Sequence, residues 1–260
     1  HYKIIAQDND SNIYQSQDQQ ITTLALGSSS GPNIDVWYGD NQSFGVLGIP
    51  QRWVNILGNV NDPVGINSVQ YSLNGAAFLP LTIGPDNRRL NKYGDFNIEL
   101  DYTTLNSGTN TIDILAEDTL GVSSVKTVTL DFNSGNNWPL PYAIDWSTVS
   151  NIQDVAQVVD GKWSIEGSSV RTSELGYDRL LAVGDLSWNN YEILVPITIN
   201  AVDTNAFKPG IGLLLRWPGH YAWDASQPRW GWHPMGALGW YRYEPTGPGS
   251  DQLRMLGGDG

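Results

Sequence analysis

The chain has 260 residues, enough for one large or two ordinary domains. Only 16% of them are charged, whereas 28 Gly, 14 Pro, 11 Trp and 12 Tyr sit among abundant Asn, Ser, Thr and Gln; this mixture suits strands and tight turns and argues against an α/β metabolic core. The formal charge is −13, with acids exceeding bases in both halves, which excludes nucleic acid as an expected partner and disfavours anionic membrane surfaces.

Cysteine is absent, which fits a bacterial or archaeal surface protein whose sandwiches are large enough to stand without disulfides. No stretch approaches the roughly 18 apolar residues of a membrane span, so insertion is not expected. The first residue is His1 and not Met, and a removed leader or a fragment is the expectation.

In chain order, residues 1–31 read as an N-terminal strand and linker segment, with a possible strand over Ile21–Leu26 followed by the run Gly27–Pro32. Strict alternation then begins. Val54 and Ile56; Val69, Tyr71 and Leu73; Phe96, Ile98 and Leu100; Ile112 and Ile114; Val128, Leu130 and Phe132 each place apolar side chains at every second position. That is the period of a half-buried antiparallel strand. Turn signals separate the runs at Asn61-Asp62-Pro63, Asn74-Gly75, Gly84-Pro85-Asp86, Ser107-Gly108 and Leu120-Gly121. The doublet Arg88-Arg89, after Gly84-Pro85-Asp86-Asn87, reads as a solvated turn.

The segment Val69–Gly75, followed by Gly108–Asp118, resembles the bacterial immunoglobulin-like modules of surface proteins, in which a YSLNG hairpin precedes a late G-x-N-T-I-x-I-x-A-x-D strand. The resemblance runs from about Arg52 to Phe132 and implies a β-sandwich over 32–133. It says little of function, because such modules serve as spacers, adhesins and enzyme appendages.

Residues 134–141, with Pro139 and Pro141, form the expected linker. Beyond it, Lys162–Glu166, Ser169–Ser173, Arg179–Val183, Tyr191–Asn200, Ile211–Trp217 and Leu238–Tyr243 read as strands. The run Trp188–Val195, with its W-x-x-Y-E opening, and the later Gly210–Trp217 resemble strands of concanavalin- or laminin-G-like jelly rolls. The resemblance implies a jelly roll over 142–260, short of its usual complement of strands. Asp251–Leu256 reads as a further strand, and Gly257–Gly260 as a turn with nothing after it. The expectation is therefore a jelly roll truncated at its C-terminus, its sheet edge completed by another protein chain. The fold class read from the sequence is all-β: an immunoglobulin-like sandwich plus an incomplete jelly roll.

The richest candidate site lies at 217–243, where Trp217, Tyr221, Trp223, Trp230, Trp232, Trp240, Tyr241 and Tyr243 are interleaved with His220, Asp224, Arg229 and Arg242. Aromatic rings stack on the apolar faces of sugars while nearby polar groups meet the hydroxyls. Tyr221, Trp223, Trp230 and Trp232 are the candidate stacking residues, and Arg216, His220 and Asp224 the candidate polar contacts, for a glycan or polysaccharide. The competing reading makes the same rings core or lid.

Catalysis has less behind it. Glu166, Glu174 and Glu192 lie on separate segments, without the E-x-D-x-x-E strand of glycosidases on such folds, and no nucleophile elbow or H-E-x-x-H is present. No catalytic residue is assigned. Copper held by His1 would need His220 or His233, and a processing scar explains His1 better. Asp8-Asn9-Asp10-Ser11-Asn12 has calcium-loop spacing but lacks the later Gly and Glu. One calcium ion is the metal carried forward, with Asp62, Asp118 or Asp178 as donors.

The leading reading is a secreted or cell-surface protein for non-catalytic carbohydrate binding or adhesion. A structural subunit of an extracellular fibre or surface layer, and the accessory domains of a polysaccharide-degrading enzyme, are the alternatives.

Overall fold

The computed structural model describes residues 3–18, 30–135, 138–206, 209–221, 227–243 and 252–257. The strand considered over Ile21–Leu26 lies outside them. The fold is all-β, its described helix confined to three single 3-10 turns. Two units are distinguished, residues 1–30 and residues 31–260.

The first unit holds a hairpin of β1 (Ile5–Gln7) and β2 (Ile13–Gln15), with Ile5 opposite Gln15. The Asp-rich run between them is its turn. Asp8 Oδ1 accepts the backbone N–H groups of Asp10 and Asn12, and Ser11 takes a φ of 67°. The Asn12 side-chain amide, donating to the same carboxylate, and then these backbone bonds favour the charged form and hold the Asp8 pKa below its usual value.

The second unit opens with the predicted sandwich. Its strands are β3 (Asn33–Val36), β4 (Asn41–Phe44), β5 (Trp53–Asn61), β6 (Ile66–Leu73), β7 (Leu79–Pro80), β8 (Asp95–Asp101), β9 (Gly108–Asp118) and β10 (Ser123–Phe132). One sheet has the order β4-β10-β9-β6-β7 and the other β3-β5-β8. All neighbours are antiparallel except β4 and β10. The alternating residues do what their period requires: Val54, Ile56, Phe96, Ile98, Ile112, Ile114, Val128 and Leu130 are wholly buried between the sheets. Burying such side chains contributes about 1.5–3 kcal/mol each. Gly58 is the one gap in the β5 row, because a Cβ there would run into the Asp35 carbonyl and the Phe96 ring. The Asn74-Gly75 turn has φ of 52° and 73°, the left-handed pair that a two-residue hairpin needs.

The remaining strands form three small antiparallel sheets. β11 (Gln157–Asp160) pairs with β14 (Leu180–Ala182), and β12 (Trp163–Glu166) with β13 (Ser169–Thr172). β15 (Gly210–Leu215), β16 (Ala237–Arg242) and β17 (Gln252–Gly257) make the third. Tyr191–Asn200 departs from expectation: residues 190–200 join no ladder. Pro196 supplies no N–H in the middle of the run, and Ile193, Val195, Ile197 and Ile199 are each more than 40% exposed.

The outer face of β3-β5-β8 differs from an ordinary solvated face. Trp53, Asn55, Leu57, Asn97 and Glu99 point away from the core, yet all are buried. They are covered by β11 and by His220, Gln227 and Arg229. Asn97 Nδ2 donates to Val159 O at 2.9 Å, Gln157 Nε2 to Asn55 Oδ1 at 3.2 Å, and Trp53 Nε1 to His220 O at 2.8 Å. A polar seam thus fastens the later chain to the sandwich.

Candidate functional site: a cleft above the polar seam

The seam positions the site. At its centre Arg89 lies with its side chain wholly enclosed, its Nη1 donating to Glu99 Oε1 at 2.6 Å and its Nε to Asp160 Oδ2 at 2.7 Å. Burial alone would lower the guanidinium's pKa, but the two carboxylates outweigh it and the pKa rises. The solvated turn expected at Arg88-Arg89 is therefore half wrong. Asp86 Oδ1 accepts the N–H groups of Arg88 and Leu90 at 2.8 and 2.9 Å, and Asn87 adopts a φ of 59°. This tight loop turns Arg89 inward and leaves Arg88 at the surface.

Glu99 accepts a second bond, from the N–H of Arg229 at 2.6 Å. Gln227 lies against the free edge of β8 and imitates a neighbouring strand. Its Oε1 accepts from Glu99 N and its Nε2 donates to Glu99 O, both at 3.0 Å. Trp53 is flanked by two guanidinium groups, Arg229 at 3.8 Å and Arg52 at 4.4 Å from its ring centre.

His220 is also enclosed. Its Nδ1 faces Gly231 O at 3.0 Å, a carbonyl that can only accept, and its Nε2 faces Asp160 Oδ2 at 3.2 Å and Asp178 Oδ2 at 3.8 Å. Asp178 is buried with neither carboxylate oxygen hydrogen-bonded. Burial first, and the neighbouring Asp160 charge second, push its pKa up to about 8.

Above the seam is a surface cleft of about 180 Å³ lined by Pro85, Asn87, Arg88, Leu90, Asn91 and Tyr177. One wall is the Asp86-braced loop. The other is the turn carrying Tyr177, tied back where Asn91 Nδ2 donates to Leu175 O at 3.4 Å and where Lys92 pairs with Glu174. Two of the sequence's candidate aromatics support these walls from behind. Trp232 Nε1 donates to the Tyr177 hydroxyl at 2.8 Å, and the Arg88 guanidinium lies 4.1 Å from the Trp230 ring centre. Trp232 in turn packs on His220 and Trp217, at 5.1 and 5.8 Å between centres.

Trp230 and Trp232 thus come together as half-buried supports, whereas Tyr177, 56% exposed, offers the open ring. His220 is enclosed and fastens the seam; it cannot touch a ligand. Tyr221 is exposed. Arg216 is exposed as well, with a φ of 53° and its N–H donating to the Tyr191 hydroxyl. Trp223 and Asp224 lie outside the described residues. Sequence reasoning missed Arg88, Asn87, Asn91 and Tyr177; only the turn run Gly84–Asn87 marked the place.

Two of the three residues considered for calcium brace turns, and the third is the buried Asp178. Asp62 Oδ1 accepts from Val64 N, and Asp118 Oδ1 from Leu120 N and Val122 N, each bracing a turn. Among the described residues no group of three or more His, Asp or Glu is placed to hold a metal ion. None of the described helices is long and apolar enough to cross a membrane.

No known family profile matches the chain, and no curated protein matches its sequence. Solved structures that align with it include an endo-beta-1,4-mannanase from Thermotoga petrophila, 11% identical, TM-score 0.31, covering 42% of this chain and 22% of that one. Fibronectin(III)-like modules of Clostridium thermocellum CbhA also align, at 16% identity and TM-score 0.27, covering 50% of this chain and 60% of that one. The chain thus spans less than two thirds of either.

Proposed function

We propose that this is a secreted or cell-surface carbohydrate-binding protein. In this reading an immunoglobulin-like sandwich buttresses a second region akin to concanavalin- and laminin-G-like jelly rolls, and the cleft between the Asp86 loop and Tyr177 takes a glycan. The observation that carries the reading is the exposed Tyr177 ring, hydrogen-bonded from behind by Trp232 and facing Arg88, Asn87 and Asn91 across a concave surface. A flat apolar ring beside a few fixed polar groups is what sugar recognition requires. Pockets that engulf a drug-sized ligand measure roughly 300–1,000 Å³. At about 180 Å³ the cleft suits one unit of a longer chain.

A glycan array followed by titration calorimetry tests the reading. Tyr177→Ala is expected to weaken binding by about 1–3 kcal/mol, the scale of a lost aromatic anchor, while the melting temperature stays near that of the parent. Retained affinity in that variant rejects the cleft.

One observation favours a second reading, a structural subunit that assembles with further copies of itself. Leu194 is 90% exposed in a run that joins no ladder, and Leu253 is 78% and Met255 68% exposed on β17, which pairs only with β16 among the described residues. Light scattering across a concentration series tests it. A monomer at every concentration rejects assembly.

A further inference from the structure

Among the described residues around the cleft, the cations other than Arg88 are matched by a carboxylate or spent on backbone carbonyls. Arg89 is matched by Glu99 and Asp160, Lys92 by Glu174, and Arg229 by Glu99. Arg179 spends its Nη1 on the carbonyls of Arg89, Tyr177 and Asp178. Asp86 turns Oδ1 to the backbone N–H groups of its own loop. Arg88 alone lines the cleft as an exposed cation without an ion pair among the described residues. In a chain of net charge −13, such a cation would ordinarily be drawn to one of the many surface carboxylates. Instead its guanidinium is stacked on Trp230, 4.1 Å from the ring centre. Stacking leaves the N–H donors at the guanidinium edge available, and the planar fork of an arginine matches the two oxygens of a carboxylate or of a sulfate ester.

We infer that the cleft selects an acidic sugar: a pyranose bearing a carboxylate or sulfate group, which Arg88 reads while the ring lies on Tyr177 and Asn87 and Asn91 face hydroxyls. The inference rests on the carbohydrate reading above and narrows it to anionic polysaccharides. Trp230 acts here as a positioning residue, holding the guanidinium at the cleft wall. The surrounding negative charge adds selectivity. A polyanion without the right ring is repelled by the rest of the surface, and only a ligand that gains both the arginine fork and the aromatic contact is retained.

The test is binding of the full chain to polygalacturonate and alginate, to a sulfated galactan, to neutral glucan and mannan, and to polyglutamate as an anion without sugar. The carboxylated or the sulfated glycans are expected to bind at least roughly tenfold more tightly than the neutral ones, about the value of one charge-assisted hydrogen bond. Which of the two binds better identifies the acidic group. Arg88→Gln should remove that preference without lowering the melting temperature, and Arg88→Lys should restore only part of it. Trp230→Leu should weaken acidic-glycan binding with Arg88 still present. Equal binding to neutral and acidic glycans overturns the inference and leaves the carbohydrate reading standing. Equal binding to polyglutamate overturns it as well, since the cleft would then read charge alone. Binding to none of the glycans rejects both.

Discussion

The two faces of the sheet β3-β5-β8 are built from the same strands and held by opposite means. The inner face is a row of Val54, Ile56, Phe96, Ile98 and Leu100 closed against the facing sheet. The outer face carries Asn55, Asn97 and Glu99, equally buried, but against Arg89, Asp160, Gln157 and Gln227. Apolar burial is non-directional and forgiving of small shifts. A buried polar seam holds only while every charge keeps its partner, because each group has given up water to be there. The inner face therefore supplies most of the stability and the outer face fixes the arrangement, and the difference can be probed position by position.

The largest effect is expected at Arg89. Arg89→Ala leaves Asp160 without its arginine and Glu99 with Arg229, at 3.6 Å, as its remaining cation among the described residues; breaking such a buried pair costs about 3–5 kcal/mol, to be read from urea unfolding. A loss below about 1 kcal/mol would mean that the seam is wet in solution.

Asp178 should respond in the opposite direction. Its carboxyl keeps its proton in the folded chain up to about pH 8 but loses it near 3.8 when unfolded. Between those values the folded state binds more protons, so this group's contribution falls as the pH rises, and it levels off above about 8. Asp178→Asn should therefore raise the melting temperature more at alkaline than at acidic pH. A shift independent of pH would place the carboxyl in water.

Gln227→Ala opens the β8 edge at Glu99 and leaves a buried backbone N–H unpaired, with an expected loss of about 1–3 kcal/mol. Val125→Thr, on the 60% exposed outer side of β10, should change stability by no more than about 0.5 kcal/mol. Together the four substitutions should rank seam charges above edge bonds, and edge bonds above a solvated strand face.

The sandwich was legible because its signals are local. Alternation in β5, β8, β9 and β10 and the Asn74-Gly75 turn each lie within one strand or one hairpin. The seam was illegible for the complementary reason. Asn97 and Glu99 show the same alternation as a solvated face, and their partners Val159 and Arg229 lie far along the chain. Nothing in Arg88-Arg89 distinguishes the arginine that goes in from the one that stays out. The aromatic run at 217–243 does not tell from its composition which of its rings face solvent. Trp230 and Trp232 sit behind the residues that face solvent, and Tyr177 lies about fifty residues upstream of them. Tyr191–Asn200 has a strand's composition, but a ladder also needs a neighbour and an unbroken series of N–H groups, and Pro196 interrupts the series.

The polar outer face also bears on synthesis. A ribosome delivers residues 31–135 before anything that will cover them, and domains can fold as they emerge. A half-made protein exposing leucines and isoleucines on that sheet would be an invitation to its neighbours on the polysome. Asn55, Asn97 and Glu99 instead keep most of that face acceptable to water, with Trp53 and Leu57 as its apolar exceptions, so the early half exposes little that is sticky until its cover arrives.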